Sequence, residues 1–333
     1  MGSGTGADRA LGGIDLGGTK IQTAIVDVHG KVLGEARRPT PTEGGPEEVA
    51  AQMADALREA ASSAGVDTDT LGGVGVGSPG DVDEVTGTVS GARNLPGWEG
   101  SFPLGPTLSE TLGTQVRLGN DVQVATEAEA KLGAGRPYDS LLGVFWGTGV
   151  GGGLILDGRP WLGRGAAGEI GHMVVNRGGA RCPGCGHRGC LEAYAGRAAM
   201  EAKARRAQAA GEKTELFKIM EEHGRDRLTS GIWERALLKE DRLARRLIDR
   251  AVRALGAGIA SAVNLLDIEA VIIGGGLGVR FGEPYVKRIE KQMAKNLFVE
   301  DNPPAIHLAA LGDLGGAIGA SLLCADIRAP AAA

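Results

Sequence analysis

The densest chemistry in this chain is His172 together with the run Cys182-Pro-Gly-Cys185-Gly-His-Arg-Gly-Cys190. One imidazole and three thiolates match a closed tetrahedral Cys₃His zinc site. His187 lies inside the same loop as a competing ligand. With all four positions filled by protein, no position remains for a reactive water, so the metal reads as structural. Glu169 stands three residues before His172, and Glu192 stands two after Cys190. A structural zinc would pin the loops carrying both carboxylates, and carboxylates in a polar pocket are good acceptors for sugar hydroxyls.

Three glycine-rich segments each follow an apolar run. In Asp15-Leu16-Gly17-Gly18-Thr19-Lys20, paired glycines let backbone N–H groups approach phosphate oxygens, while Thr19 and Lys20 add a donor and a positive charge. Thr19 separates Gly18 from Lys20 and no helix pattern follows, so this is not a Walker loop; a β-turn with a glycine bulge is the plain alternative. Gly147-Thr148-Gly149-Val150-Gly151-Gly152-Gly153 formally contains G-x-G-x-x-G. The dinucleotide fingerprint requires a helix next, whereas Leu154–Leu156 and Asp157-Gly158 continue as a hairpin. A second phosphate-facing turn fits better. Gly274-Gly275-Gly276 is a third turn, shaped for a base or ribose. Asn120-Asp121 closes a short strand. A carboxylate there can accept a hydroxyl proton as phosphoryl transfer proceeds, although the same dipeptide is a common helix N-cap.

Strands alternating with helices position these groups, which predicts an α/β architecture. Strands are expected at Leu11–Asp15, Ile21–Val28, Lys31–Arg38, Leu71–Val76, Val116–Leu118, Leu141–Trp146, Leu154–Leu156, Ala270–Ile273 and Ala305–Ala310. A helix from Pro46 presents Val49, Met53, Leu57 and Ala60 on one face and ends before Gly65. Val122–Leu132, much of residues 197–266 and Gly316–Ala325 read as helices. Within Asp241–Leu266 the core-facing stripe is Leu243, Leu247, Leu255, Ile259, Val263 and Leu266. The strand–glycine–strand units at residues 15–20 and 146–153 are crude copies of each other, as an internal duplication would leave them.

Composition removes several classes of function. The net charge of −5 gives no basic footprint for nucleic acid, and 4% aromatic residues leave little for base stacking. Arg205-Arg206 and the arginines of residues 242–250 sit among acids at helical spacing, as solvated helix faces do. Residues 1–9 lack the apolar core of a signal peptide. The longest uncharged stretch, 140–156, is too short and turn-rich to span a bilayer. Four cysteines, three of them clustered, point to a reducing compartment and a metal; Cys324 reads as plain core. The expectation is a cytoplasmic protein without nucleic-acid or membrane partners.

Taken in order, Asp15–Lys20, Asn94-Leu95-Pro96-Gly97-Trp98, Asn120-Asp121, Gly147–Gly153, Gly168-Glu169-Ile170-Gly171-His172 and Cys182–Glu192 resemble the ROK family of sugar kinases and repressors, most of all its bacterial glucokinase branch. The resemblance covers about residues 11–326. It implies the two-domain sugar-kinase and actin-like (ribonuclease H-like) superfold, with a cleft between domains. The small domain would span 10–121 plus 311–328. The large domain would span 122–310 and carry the contacts of a homodimer or homotetramer. Asp121 resembles the catalytic base acting on the 6-hydroxyl of glucose, and Asn94, Asn120, Glu169, His172 and Glu192 the sugar ligands. Asp15, Gly17, Gly18, Thr19, Lys20, Gly147, Thr148, Gly149, Gly275 and Gly276 would hold ATP with Mg²⁺. His172, Cys182, Cys185 and Cys190 would hold the structural Zn²⁺.

One spacing departs from the family, whose knuckle is Cys-x-Cys-x₄-Cys; here the first gap is one residue longer. That leaves zinc affinity, and the place of His187, open. Another hexose or N-acetylmannosamine is the alternative substrate, and a non-catalytic sugar-binding protein the alternative class. The family's repressors carry a winged helix-turn-helix before the first glycine turn, whereas 14 residues precede Asp15 here; a kinase is therefore expected.

Overall fold

Short apolar strands that stop at glycine or a polar residue build two similar sheets in this computed structural model, which describes residues 9–92, 95, 97, 98 and 100–325. The first unit comprises residues up to Arg136, Gly163–Gly165 and the stretch from Ala310; the second comprises Pro137–Leu162 and Ala166–Ala309.

In the first unit β1 (Leu11–Leu16), β2 (Lys20–Val26) and β3 (Val32–Pro39) form an antiparallel meander. Helix α1 (Gly45–Ala64) has Pro46 in its first turn and stops at Gly65, whose φ of 73° ends it. Its predicted face of Val49, Met53, Leu57 and Ala60 is buried in this unit's core. Next, β4 (Val74–Ser78) pairs in parallel with β1. A small sheet of β5 (Asp81–Asp83), β6 (Thr88–Ser90) and β7 (Ser101–Phe102), then α2 (Leu104–Leu112), precede β8 (Val116–Asn120). That strand pairs in parallel with β4 and runs straight into α3 (Asp121–Leu132).

The second unit repeats the plan. Strands β9 (Leu141–Trp146), β10 (Val150–Leu156) and β11 (Arg159–Pro160) form an antiparallel meander. Helices α4 (Glu192–Ala195), α5 (Arg197–Ala209), α6 (Leu216–Glu222), α7 (Ser230–Leu238) and α8 (Arg242–Leu266) follow, then β12 (Ala270–Gly274), α9 (Gly275–Met293) and β13 (Ala305–Leu308). The two sheet orders, β3-β2-β1-β4-β8 and β11-β10-β9-β12-β13, run antiparallel, antiparallel, parallel, parallel in both cases. The duplication glimpsed in the two glycine turns therefore extends to whole sheets. Helix α8 starts at Asp241, whose carboxylate accepts the Ala244 N–H at 2.7 Å. Its expected stripe is buried from Leu243 to Val263, while Leu266 is half-buried.

The chain then returns to the first unit as α10 (Gly315–Leu322). Gly13 and Gly75, side by side in the β1–β4 register, let this helix lie directly on the sheet. A Cβ on either would come within 2 Å of a carbonyl oxygen of α10, that of Ala317 or Ala320. Helix α3 packs on α10. The Glu129 carboxylate of α3, buried, accepts the N–H groups of Ala310 and Leu311. The first unit consequently extends past the expected junction at 121, to Arg136.

Two local expectations need correction, and one helix had given no readable pattern. Gly151–Gly153 belong to strand β10 and not to the turn; a Cβ on Gly152 would meet the Gly168 carbonyl oxygen at 2.5 Å, so glycine is needed there for close packing. Leu71 precedes its strand, which starts at Val74. Helix α9 grows out of the third glycine turn, although Pro284 and a kink at Gly282 disguise its periodicity.

Candidate functional site

The C-terminal ends of the parallel strands gather the first unit's chemistry along one edge. Asp15 of β1 lies beside Gly77 of β4, and Ser78 beside Asn120 of β8. Between β1 and β2 the turn closes with the Gly17 N–H on the Lys20 carbonyl at 3.0 Å. Thr40, which the sequence reading missed, donates its hydroxyl to the Gly17 carbonyl at 2.6 Å. Thr19 is exposed, and Lys20 pairs with Asp313 at 3.5 Å. The Asp15 carboxyl packs so tightly on α10 that a Cβ on Gly316 would fall 2.7 Å from it. Burial pushes this carboxyl from its ordinary 3.8 up to about 6; Lys20 opposes the shift and Asp313 adds to it.

Asn120 is the N-cap of α3, its Oδ1 accepting the N–H groups of Val122 and Gln123, both at 3.1 Å. The capping role weighed from sequence is thus real for Asn120, and its amide N–H₂ is not used by the cap. Asp121 follows in the first turn, half-buried, its Oδ1 accepting the Val122 N–H at 2.9 Å. The helix's positive end favours a carboxylate at this position. Asp121 rests against Gly77, where a Cβ would come 3.3 Å from its Cα. Asn94 lies outside the described residues.

In the second unit the two remaining glycine turns are neighbours. A Cβ on Gly147 would have the Gly276 N–H nitrogen as its nearest atom, at 3.9 Å. Gly275 has φ 78°, and a Cβ there would meet the Trp146 backbone nitrogen and oxygen at 2.7 Å, so no other residue fits. The β9–β10 connection is a hairpin, as expected. Its Gly147 and Thr148 carbonyls accept N–H groups from the start of α5, those of Arg197 and Ala198. Arg197 also donates to the Thr148 hydroxyl at 2.7 Å; a lone arginine had given no signal of that role.

His172, Cys182, Cys185 and Cys190 converge, with their ligand atoms all within 4.8 Å of one another. Cys182 Sγ lies 3.8 Å from His172 Nδ1, and Cys185 Sγ 3.6 Å from Cys190 Sγ. Zinc–sulfur bonds of about 2.3 Å at tetrahedral angles need sulfur atoms about 3.8 Å apart, so the cage fits that ion. His187 is not in this group; its carbonyl accepts the Cys182 N–H and so closes the loop from 182 to 187. Burial pushes the Cys182 thiol up to about 12, so the metal-free cage holds it neutral and a bound metal must displace its proton.

The carboxylates frame this cage. Glu192 Oε2 accepts the Val150 N–H at 3.0 Å, while its Oε1 is 3.5 Å from Cys182 Sγ. One side chain therefore ties the glycine turn to the cysteine loop. Glu169 Oε2 is 3.8 Å from His172 Nε2, the ring nitrogen turned away from the cysteines.

The ROK family model matches residues 11–327. The chain is 35% identical over 280 residues to a glucokinase of Thermotoga maritima, covering 81% of this chain and 83% of that one. It is 33% identical to an N-acetyl-D-glucosamine kinase of Pectobacterium atrosepticum, covering 93% and 97%. Its structure is similar to that of a ROK family glucokinase from Streptomyces griseus in complex with glucose and AMPPNP. There the TM-score is 0.80 and the identity 31%, over 94% of this chain and 98% of that one. Two duplicated α/β units, each with a glycine turn at its strand ends, are those of a two-domain sugar kinase. The chain belongs to the ROK family.

Proposed function

We propose that this kinase transfers the γ-phosphoryl group of ATP to the 6-hydroxyl of glucose. The observation that carries the reading is Asp121, a carboxylate fixed in the first turn of α3 beside the capping Asn120, at the strand edge that also presents Asp15. Asp121 takes the hydroxyl proton as the sugar oxygen attacks in line. Asn94, Asn120, Glu169, His172 and Glu192 bind the sugar hydroxyls. The turns at Gly17–Lys20 and Gly147–Gly149 hold the phosphates of the nucleotide, and Gly275–Gly276 lies near its nucleoside. Asp15 is the carboxylate that would receive Mg²⁺, which when bound neutralises charge developing on the phosphates.

Zinc at His172, Cys182, Cys185 and Cys190 would do no chemistry of its own. Held there, it would steady the His172 ring, whose Nδ1 already faces Cys182 and whose Nε2 lies beside Glu169. Phosphoryl transfer from Mg·ATP to glucose, mannose, fructose, N-acetylmannosamine and N-acetylglucosamine tests the reading. Glucose should lead in kcat/KM. A lead by N-acetylglucosamine, the substrate named for one relative, would keep the class and change the sugar. No turnover with any of them would favour a sugar-binding protein. We further propose that the kinase is a cytoplasmic homodimer.

A further inference from the structure

Gln22 of β2 is 4% exposed, and its Oε1 is fully buried without a hydrogen-bond partner among the described residues. Other buried polar groups of this unit are paired. Thr23 donates to the carbonyls of Ala56 and Ala36, and the Glu129 carboxylate takes backbone N–H groups. An unsatisfied buried acceptor costs stability, so its retention calls for a donor that arrives later.

Its position indicates which donor. Gln22 is directly opposite Asp15 in the antiparallel β1–β2 register, which sets the two side chains on the same sheet face with Cβ atoms about 4.5–5.5 Å apart. That face also carries Gly13 and Ala24, opposed to each other and covered by α10. Two residues earlier in β2, and so on the same face, Lys20 pairs with Asp313. The orphaned oxygen thus belongs to the polar cluster at the root of the turn to which the proposed phosphotransfer assigns phosphate and Mg²⁺. Mg²⁺ sheds its waters reluctantly and keeps several when held by one carboxylate, and a water on a dication is a strong donor.

We propose that Gln22 is a positioning residue for the metal, its Oε1 accepting a hydrogen bond from a water of the Mg²⁺ held at Asp15. This rests on the kinase reading above. Gln22 touches neither sugar nor the transferred phosphoryl group; it acts by fixing the metal's hydration shell.

Mn²⁺ is the probe, titrated by electron paramagnetic resonance into the full chain with AMPPNP, for wild type, Gln22→Met and Gln22→Ala. Methionine keeps the length and volume while removing the acceptor. Mn²⁺ affinity should fall about tenfold in both variants, the size usual for losing an outer-shell partner of a metal ligand. The KM for glucose should stay within about twofold, as expected when no sugar contact is lost. Without metal, Gln22→Met should melt at or above the wild-type temperature. Unchanged Mn²⁺ affinity overturns the proposal, and so does a metal-free Gln22→Met chain that melts several degrees lower, since the amide would then be structural. If wild type binds Mn²⁺ with AMPPNP yet phosphorylates no sugar, the kinase reading fails by itself and the Mn²⁺ affinities still decide Gln22.

Discussion

Replacing Asp15 by asparagine should make the ligand-free protein more stable and the enzyme worse. Burial against α10 raises this carboxyl from 3.8 to about 6, so the native state binds its proton more tightly than the unfolded chain does. Stability therefore falls as pH rises from about 4 to about 6 and stays low above that. A difference of about two units at 1.36 kcal/mol per unit is about 3 kcal/mol at neutral pH. Asparagine has nearly the same shape and no charge to desolvate, so Asp15→Asn should recover most of that amount. With an unfolding entropy of about 2.1 cal/mol/K per residue, 3 kcal/mol is about 4 °C if all 333 residues melt together, and about twice that if the first unit melts alone. Scanning calorimetry without nucleotide or Mg²⁺, at pH 3.5 and 7.5, measures the effect. The variant should match wild type at the low pH and exceed it at the high one, while its kcat/KM for Mg·ATP falls. A variant less stable than wild type at pH 7.5, or a difference that ignores pH, would refute the desolvation argument.

Removing zinc with a chelator should lower the melting temperature and raise the KM for glucose, because the loops bearing Glu169, His172 and Glu192 lose their common anchor; metal analysis should find one zinc per chain. His187→Ala should keep that zinc and Cys190→Ala should lose it, with the opposite pattern placing His187 in the site. Glu192→Gln keeps an acceptor for the Val150 N–H, so stability should change by less than about 1 kcal/mol while the KM for glucose rises. Urea melts and kinetics separate those two effects. Gly275→Ala forces a methyl group onto the Trp146 backbone at φ 78° and should cost about 1–3 kcal/mol, visible as a lower urea midpoint, with weaker ATP binding.

The duplicated strand–glycine–strand units were legible because a two-residue side-chain period and glycine turns are local signals. The cysteine loop was legible because metal ligands are few in kind and fixed in spacing. What escaped depends on partners distant in sequence. The orphaned oxygen of Gln22 has meaning only once β1 and β2 are in register. The lifted Asp15 carboxyl requires α10, some 300 residues later, to close over it. Glu192 could be read as a carboxylate beside a metal loop, but its bond to the Val150 N–H comes from packing of α4 under the hairpin. Helix α9 was hidden by a proline and a left-handed glycine inside it, both of which ordinarily mark a helix end.

Asp121→Asn is the substitution that bears most directly on the account. It keeps side-chain size beside Gly77 and the contact with the Val122 N–H, and it removes the group that takes the proton. Turnover of glucose with Mg·ATP should fall by about two to four orders of magnitude, the share usual for a general base, while glucose binding measured by calorimetry changes little. A variant that turns over at near wild-type rate would remove Asp121 from the role of base and, with it, the mechanism built on the end of β8.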